Sequence, residues 1–278
     1  MAKAYMERIE ALRKQYLETR VDMDVYNAKY VTEGFKDTEG QPWIIQKATS
    51  YKYECERKQI YIQDHELLVG GVGFKPRCGI LNPDSAAGVI EKEVDTISTR
   101  PFDPFYLSDE GKKVYLEDVK EYWKNKCVLD RWNLMLPEDV RRLRANGAIF
   151  IDRKAVRGYG ETTVDWRMII NKGIGAIKKE AEEALAKLDD AVPGDLEKSF
   201  FYRSEIMVAD AIIHLSHRHA DLAEQMVAEC GDEKRKAELL KIAEVCRWVP
   251  EHPARTFYEA CQSMLTYEYA CFMEQNAS

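Results

Sequence analysis

The chain has 278 residues, of which 45% are apolar and 32% are charged, a composition typical of a globular protein rather than a disordered one. Its 48 acidic and 41 basic residues give a net charge of −7, which argues against a broad nucleic-acid surface, because such surfaces cluster lysine and arginine. No apolar run approaches the roughly 20 residues that cross a bilayer, and the charged N-terminus lacks the features of a signal peptide. We therefore expect a cytoplasmic protein that binds neither nucleic acid nor membrane.

The first 70 residues are predicted to hold three helices and a β-hairpin. Apolar side chains recur every three to four residues in the first helix. Asp22 or Asp24 can cap the second helix, and Pro42 suits the first turn of the third. The hairpin is expected where two short apolar runs flank a polar tetrapeptide. The predicted elements are Ala2–Arg20, a second helix ending at Gly34 or Gly40, a third at Trp43–Arg57, and strands Ile60–Ile62 and Leu67–Val69.

The middle of the chain alternates loops with short helices. Glycines and prolines predict a loop over residues 70–83, and the prolines and aromatic residues of Ser98–Leu107 predict an ordered loop. Ser108 can cap the helix that follows it. The segment Ala148–Trp166 is the least helical. Helices are expected over Asp84–Thr96, from Ser108 to about Trp123, around Leu129, and over Pro137–Arg144.

From Met168 onward the pattern is strongly helical, and glycine and proline residues separate the helices. The predicted fold class is therefore mostly α with a few short strands. We see no repeat, no low-complexity tract and no internal domain boundary. The predicted helices are Met168–Leu188, Gly194–Cys230, Asp232–Cys246 and one that follows Pro253.

Three patterns that often mark chemistry are weak in this chain. His214 and His217 can share a helix face, but His219 points elsewhere and no acidic residue completes a zinc motif, so we favour helix histidines over a metal site. The run Gly70–Gly73 is interpreted as a structural turn, because Pro76 stands at the third glycine of a dinucleotide-binding loop. The seven cysteines form no Cys-x-x-Cys pair, which disfavours disulfides and zinc ribbons.

Four charged residues in the least helical segment are the best site candidates: Arg153, Arg157, Glu161 and Asp165. Two neighbouring guanidinium groups can offer paired donors to a carboxylate, phosphate or sulfonate. A carboxylate such as Glu161 could hydrogen-bond a substrate hydroxyl or move a proton. The alternative is a solvated cluster of ion pairs, and the residue pattern alone leaves both open.

Several segments in order along the chain resemble one family. The loop Asp95–Tyr106, with the sequence DTISTRPFDPFY, is the most specific of them. The other matching segments are residues 60–64, 67–70, 122–124, 187–189, 236–239, 249–250 and 257–260. Through these segments the chain is similar to the N-terminal part of glycyl-radical enzymes of the pyruvate formate-lyase superfamily. The most similar branch is that of choline trimethylamine-lyase and isethionate sulfite-lyase.

The resemblance implies a ten-stranded α/β barrel wrapped by helices, of which residues 1–278 form the incomplete N-terminal part. It also implies that a radical-SAM iron–sulfur activase installs a radical on a glycine near the C-terminus, and that a barrel cysteine then abstracts hydrogen from a small substrate. The sequence contains neither the Gly-Cys-x-Glu type motif nor the glycyl loop. We therefore expect no catalytic residue, bound cofactor or metal in this chain, and a homodimer when the enzyme is complete.

Within the resemblance, Arg153, Arg157 and Glu161 correspond to one wall of the substrate pocket. Two arginines would repel a quaternary ammonium substrate, so an anionic sulfonate or carboxylate fits better. The leading hypothesis is an N-terminal fragment of a glycyl-radical lyase that is inactive alone. One subunit of a split enzyme is the alternative, and a non-catalytic helical module that binds a partner such as the activase is the third hypothesis.

Overall fold

The computed structural model describes residues 2–149, 164–189 and 191–274, and this part of the chain is mostly helical, as predicted. The N-terminal helices follow the predicted ones closely. Asp24, one of the two predicted caps, accepts hydrogen bonds from the backbone amides of Tyr26 and Asn27. The elements in the first 60 residues are α1 (Ala2–Glu18), β1 (Asp22–Asp24), α2 (Val25–Asp37) and α3 (Trp43–Arg57).

The middle region contains a second strand and several short helices. A π-helical segment, Tyr115–Lys120, joins two of these helices, so helical backbone runs from Asp109 to Trp123. Ser108 caps this run as predicted, because its side chain accepts a hydrogen bond from the amide of Gly111. The elements are β2 (Cys78–Ile80), α4 (Pro83–Ala86), α5 (Asp109–Val114), α6 (Glu121–Trp123), α7 (Val128–Met135) and α8 (Glu138–Ala145).

The C-terminal half is helical throughout its described residues, apart from short connections. The two helices predicted to begin at Gly194 and Asp232 are present with similar bounds, and the last helix follows Pro253 as expected. The elements are α9 (Trp166–Lys172), α10 (Ile174–Leu185), α11 (Asp195–Glu229), α12 (Glu233–Trp248) and α13 (Phe257–Glu274).

The prediction of one continuous helix over Met168–Leu188 is wrong, because the helix breaks at Gly173. There φ is +76°, a backbone conformation that favours glycine, and a Cβ would collide with the backbone of Glu251. The break frees the amide of Ile174 to donate to the carbonyl of Pro250 at 2.9 Å. A distant segment of the chain therefore causes the interruption.

The predicted hairpin is also wrong, since neither Ile60–Ile62 nor Leu67–Val69 forms a strand. Side chains from other elements bind this backbone instead of a partner strand. Gln262 of α13 accepts a hydrogen bond from the amide of Val69 and donates one to its carbonyl, both at 2.9 Å. Arg235 of α12 donates to two carbonyls in the tetrapeptide between the two runs. These side chains satisfy the backbone groups that a strand would otherwise pair.

The two strands found among the described residues were not predicted. β1 and β2 pair in parallel, with Asp22 opposite Cys78 and Asp24 opposite Ile80. β2 lies in the segment predicted to be a loop. Tyr106 lies near the end of Ser98–Leu107, the loop that was predicted to be ordered. It forms a further parallel bridge with Asp22, and this bridge holds that end of the loop in place.

The predicted helix Asp84–Thr96 is wrong beyond its first turn, because α4 ends at Ala86. The following backbone forms successive tight turns, in which amides such as that of Val89 donate to the carbonyl three residues back. The apolar residues that suggested a helix, among them Ile90 and Val94, are buried all the same. Turns of three residues also bring side chains repeatedly to one side, so the apolar spacing alone did not distinguish them from an α-helix.

Helix α3 lies between α2 and α11 in the core. At Gly34 of α2 a Cβ would collide with Ser50 of α3, so glycine permits the close approach of these helices. The 35-residue helix α11 contacts α3, α10, α12 and α13. Among the helices that the structure describes, none is long and apolar enough to cross a membrane. This arrangement places the side chains of α3 at the meeting point of several helices.

Candidate functional site

The predicted substrate-binding residues Arg153, Arg157 and Glu161 lie outside the described residues, so their arrangement stays a prediction. The fourth candidate, Asp165, lies within them. Its side chain accepts a hydrogen bond from the amide of Met168 at 3.0 Å and caps α9. Asp165 therefore has a local structural role.

One face of α3 carries polar side chains into the core. Lys47, Tyr51, Glu54 and Lys58 follow one another at spacings of four, three and four residues, so they lie on one side of the helix and its C-terminal cap. We call these four residues the α3 polar face. Lys47 is half-buried, and the other three are buried. The sequence pattern did not indicate this face, although its spacing was visible, because polar residues at helical spacing usually face solvent.

Lys47 forms an ion-pair triad with two carboxylates. Its Nζ lies 2.7 Å from Asp84 Oδ2 and 2.8 Å from Glu274 Oε2. Burial by itself would lower the pKa of Lys47, but the two carboxylates outweigh it and raise that pKa. Burial raises the pKa of Glu274, and Asp84 adds to this effect against the attraction of Lys47. The triad joins α3 to the start of α4 and to the end of α13.

Glu54 and Lys58 form a second buried group. The Lys58 Nζ donates to the carbonyls of Gly71 and Val72, at 2.8 and 2.7 Å. Neither carboxyl oxygen of Glu54 has a hydrogen-bond partner among the described residues, and the same holds for the side-chain amide of Asn27. Burial raises the pKa of Glu54 to about 8, against the attraction of Lys58. Because two carbonyls favour the charged lysine, we infer that Glu54 is the partner that keeps a proton near neutral pH.

A cavity of about 470 Å³, open to solvent on one side, lies beside the α3 polar face, between α3, α11 and α13. Its walls are mostly apolar, and Lys47, Glu205 and Glu274 bring charged groups to it. This size and lining are typical of small-molecule sites. The sequence pattern did not indicate the cavity, because its walls come from three helices that are far apart along the chain.

The glycine run Gly70–Gly73 serves close packing, as its interpretation as a structural turn anticipated. The φ of Gly70 is +124°, and a Cβ there would collide with the ring of Tyr269. A Cβ on Gly71 would meet the Tyr61 hydroxyl. The glycines thus let this turn pack closely against its neighbours. Within it, the carbonyls of Gly71 and Val72 accept hydrogen bonds from Lys58 at the end of α3.

The three candidate histidines have separate surroundings. His214 is exposed, and His217 Nε2 lies 3.7 Å from a carboxyl oxygen of Glu251. His219 is buried, its Nδ1 lies 2.9 Å from the Leu215 carbonyl, and burial lowers its pKa to about 4. Over the part of the chain that the structure describes, no three His, Cys, Asp or Glu side chains are grouped in a way that could hold a metal ion.

All seven cysteines lie among the described residues, and all are free thiols. Burial raises the pKa of both Cys78 and Cys246 to about 12. A thiol with so high a pKa stays protonated at neutral pH and is a poor nucleophile. Neither of these two thiols therefore has the surroundings of an activated thiolate.

The family of the chain follows from its sequence as a whole. The pyruvate formate lyase-like family matches residues 3–278, and the chain belongs to this family, which confirms the resemblance. Among its relatives, isethionate sulfite-lyase of Nitratidesulfovibrio vulgaris is 35% identical over 269 residues, which are 94% of this chain and 32% of that protein. Trans-4-hydroxy-L-proline dehydratase of Clostridioides difficile is 31% identical over 267 residues, which are 94% and 33% of the two chains.

Solved structures of similar fold have comparable coverage. The glycerol-bound B12-independent glycerol dehydratase from Clostridium butyricum superposes with a TM-score of 0.91 at 33% identity, over 97% of this chain and 34% of that one. A glycyl radical enzyme from Archaeoglobus fulgidus gives a TM-score of 0.90 at 30% identity, again over 97% and 34%. The chain therefore spans about a third of the length of these relatives.

Proposed function

We propose that this chain is the N-terminal part of a cytoplasmic glycyl-radical lyase that cleaves a C–X bond of a small, anionic substrate, either a sulfonate or a carboxylate. The observation that carries the proposal is the 35% identity to an isethionate sulfite-lyase over 94% of this chain. Isethionate sulfite-lyases of three further bacteria are 33 to 34% identical to it. Relatives named as dehydratases act on other polar molecules, so we infer the substrate from charge as well as from similarity.

Arg153, Arg157 and Glu161 are our candidates for the substrate-binding residues. A pair of guanidinium groups binds a sulfonate or carboxylate through paired, charge-assisted hydrogen bonds. Glu161 would accept a hydrogen bond from a substrate hydroxyl. The same two positive charges would disfavour a quaternary ammonium substrate.

We assign the radical chemistry to polypeptide outside residues 1–278. None of the seven cysteines lies in a Gly-Cys-x-Glu type motif. The radical, once installed by a radical-SAM iron–sulfur activase, would allow hydrogen abstraction from an unactivated carbon. The contribution of this chain is to form one wall of a site that excludes water, and by itself it does not turn over substrate. We expect a homodimer when the enzyme is complete.

The test is anaerobic reconstitution with the activase. The chain alone should give neither a glycyl-radical signal in electron paramagnetic resonance nor sulfite from isethionate. An assembly that adds the polypeptide with the cysteine and glycine motifs should cleave an anionic substrate. Co-purification of that polypeptide as a separate natural chain would identify a split enzyme rather than a fragment. A radical signal or turnover by this chain alone would contradict the proposal.

The substrate site is tested in the active assembly with the double variant Arg153→Gln, Arg157→Gln. Removing two charged donors should lower kcat/KM for the anionic substrate about 100-fold or more. The control, Arg141→Gln with Arg142→Gln, makes the same charge change at exposed positions of α8 and should leave kcat/KM within about twofold. Equal losses in both variants, or choline cleaved as well as sulfonates, would refute the assignment.

A further inference from the structure

One carboxylate in the wall of the cavity between α3, α11 and α13 forms no ion pair with the residues that the structure describes. Of the charged groups in its walls, Lys47 and Glu274 are already paired with each other. Glu205 of α11 differs from them. Burial and the neighbouring carboxylate of Glu180 both raise the pKa of Glu205, and no cation of the described residues offsets them. The cavity wall therefore presents a half-buried carboxyl group that a cation would stabilise.

Aromatic and aliphatic side chains form the rest of the wall around this carboxylate. Phe201 and Val208 lie on the same helix as Glu205, and Tyr267 faces it from α13. Glu205 is close enough to Tyr267 to raise the pKa of that phenol, although burial is the larger cause. An aromatic ring beside a carboxylate favours an ammonium group, because both the ring face and the carboxylate attract positive charge.

We propose that this cavity is a binding site for a small amphiphilic amine, whose apolar body fills the space between the three helices and whose ammonium group pairs with Glu205. The apolar walls and the volume of about 470 Å³ suit an aryl or alkyl body. An anionic ligand would meet the carboxylates Glu205 and Glu274. A neutral ligand would cover the Glu205 carboxylate without balancing its charge, which costs free energy. This proposal does not rest on the anion pocket proposed above.

The test titrates the 278-residue chain with three probes of equal length: 4-phenylbutylamine, 4-phenylbutanol and 4-phenylbutyrate. Isothermal titration calorimetry should show saturable binding of the amine, about fivefold or more tighter than the alcohol, with the carboxylate weakest. In Glu205→Gln the amine should lose this advantage, while the affinity for the alcohol should stay within about twofold.

The matched control is Glu180→Gln, which removes the same charge from a neighbouring residue that pairs with Lys172 and does not line the cavity. It should keep the preference for the amine. The proposal is overturned if the amine and the alcohol bind alike to the natural chain, or if Glu180→Gln weakens amine binding as much as Glu205→Gln does. Loss of amine binding in a reconstituted complete enzyme would also overturn it, because polypeptide would then fill the cavity. No lyase activity is measured, so the outcome is independent of the proposed reaction.

Discussion

Helices α1 and α3 are both amphipathic, yet α1 leaves apolar side chains in solvent whereas α3 buries charged ones. In α1, Met6, Ile9 and Leu17 are 54, 56 and 60% exposed. In the α3 polar face, Glu54 is 0% exposed and Lys58 is 2% exposed. The helix with the clear apolar stripe thus leaves much of that stripe in solvent, whereas charged groups of the other helix lie in the core.

The positions of the two helices explain the difference. The α3 polar face is enclosed by α13 and by the Gly70–Gly73 turn. The turn supplies carbonyls to Lys58, and α13 supplies a carboxylate to Lys47. Helix α1 is held at a few points, where Arg8 reaches the His65 carbonyl and pairs with Glu238. Charged side chains are therefore tolerated in the core where surrounding elements provide hydrogen-bond and ion-pair partners. An apolar stripe stays exposed where the described elements provide no surface to cover it.

The largest effect is expected from Lys58→Met, which removes the charged group at the C-terminal end of the α3 polar face. The carbonyls of Gly71 and Val72 would each lose a hydrogen bond from a charged donor. Such hydrogen bonds typically contribute about 1.5–3 kcal/mol each, so losing both should cost about 3–5 kcal/mol. We expect a loss of this size in the free energy of unfolding, measured by urea denaturation.

Lys52→Met is the matched control on the same helix. Lys52 is 45% exposed and forms an i,i+4 pair with Glu56, at 3.7 Å. Its substitution should change the free energy of unfolding by less than about 0.5 kcal/mol. Equal effects of the two substitutions would show that the surroundings of Lys58 do not stabilise the fold.

A smaller, pH-dependent effect is expected from Glu54→Gln. The pKa of Glu54 is about 8 in the folded chain, above its ordinary value of 4.5. Its contribution to stability is therefore fully present below pH 4.5 and is lost as the pH rises through about 8. Glutamine does not titrate. The free energy of unfolding of the variant, relative to that of the natural chain, should therefore rise by at least ~1 kcal/mol between about pH 5 and pH 9.

The comparison is made as a difference in the free energy of unfolding between the two chains at each pH. Groups that titrate alike in both, such as the exposed carboxylates, cancel in that difference. Lys58, Lys47 and Glu274 act on Glu54 through their charges and remain in both chains. A difference that stays constant across this pH range would mean that Glu54 is ionised throughout and that its charge is compensated in the core.

Local patterns in the sequence predicted those features that depend on near neighbours along the chain. The bounds of α3 and the cap at Asp24 follow from spacing and from a single side chain, and both were predicted. The break at Gly173 and the backbone of Val69 depend on Glu251 and Gln262, which are distant in sequence. Neither feature could be predicted, because a local pattern does not show which distant residue will contact a given segment. The Asp95–Tyr106 loop identified the family, which no count of helices could have done.

The smallest effect is expected in α1, from Ile9→Ser. Because Ile9 is 56% exposed, the substitution should change the free energy of unfolding by less than about 0.5 kcal/mol. Ile242→Ser is the counterpart in the core, since Ile242 of α12 is 1% exposed, and there the loss should be at least ~3 kcal/mol. A loss above about 2 kcal/mol for Ile9→Ser would show that another surface covers the α1 stripe in solution. Sedimentation of both chains would then show whether that surface belongs to a second copy, because only an associating chain would become lighter on substitution.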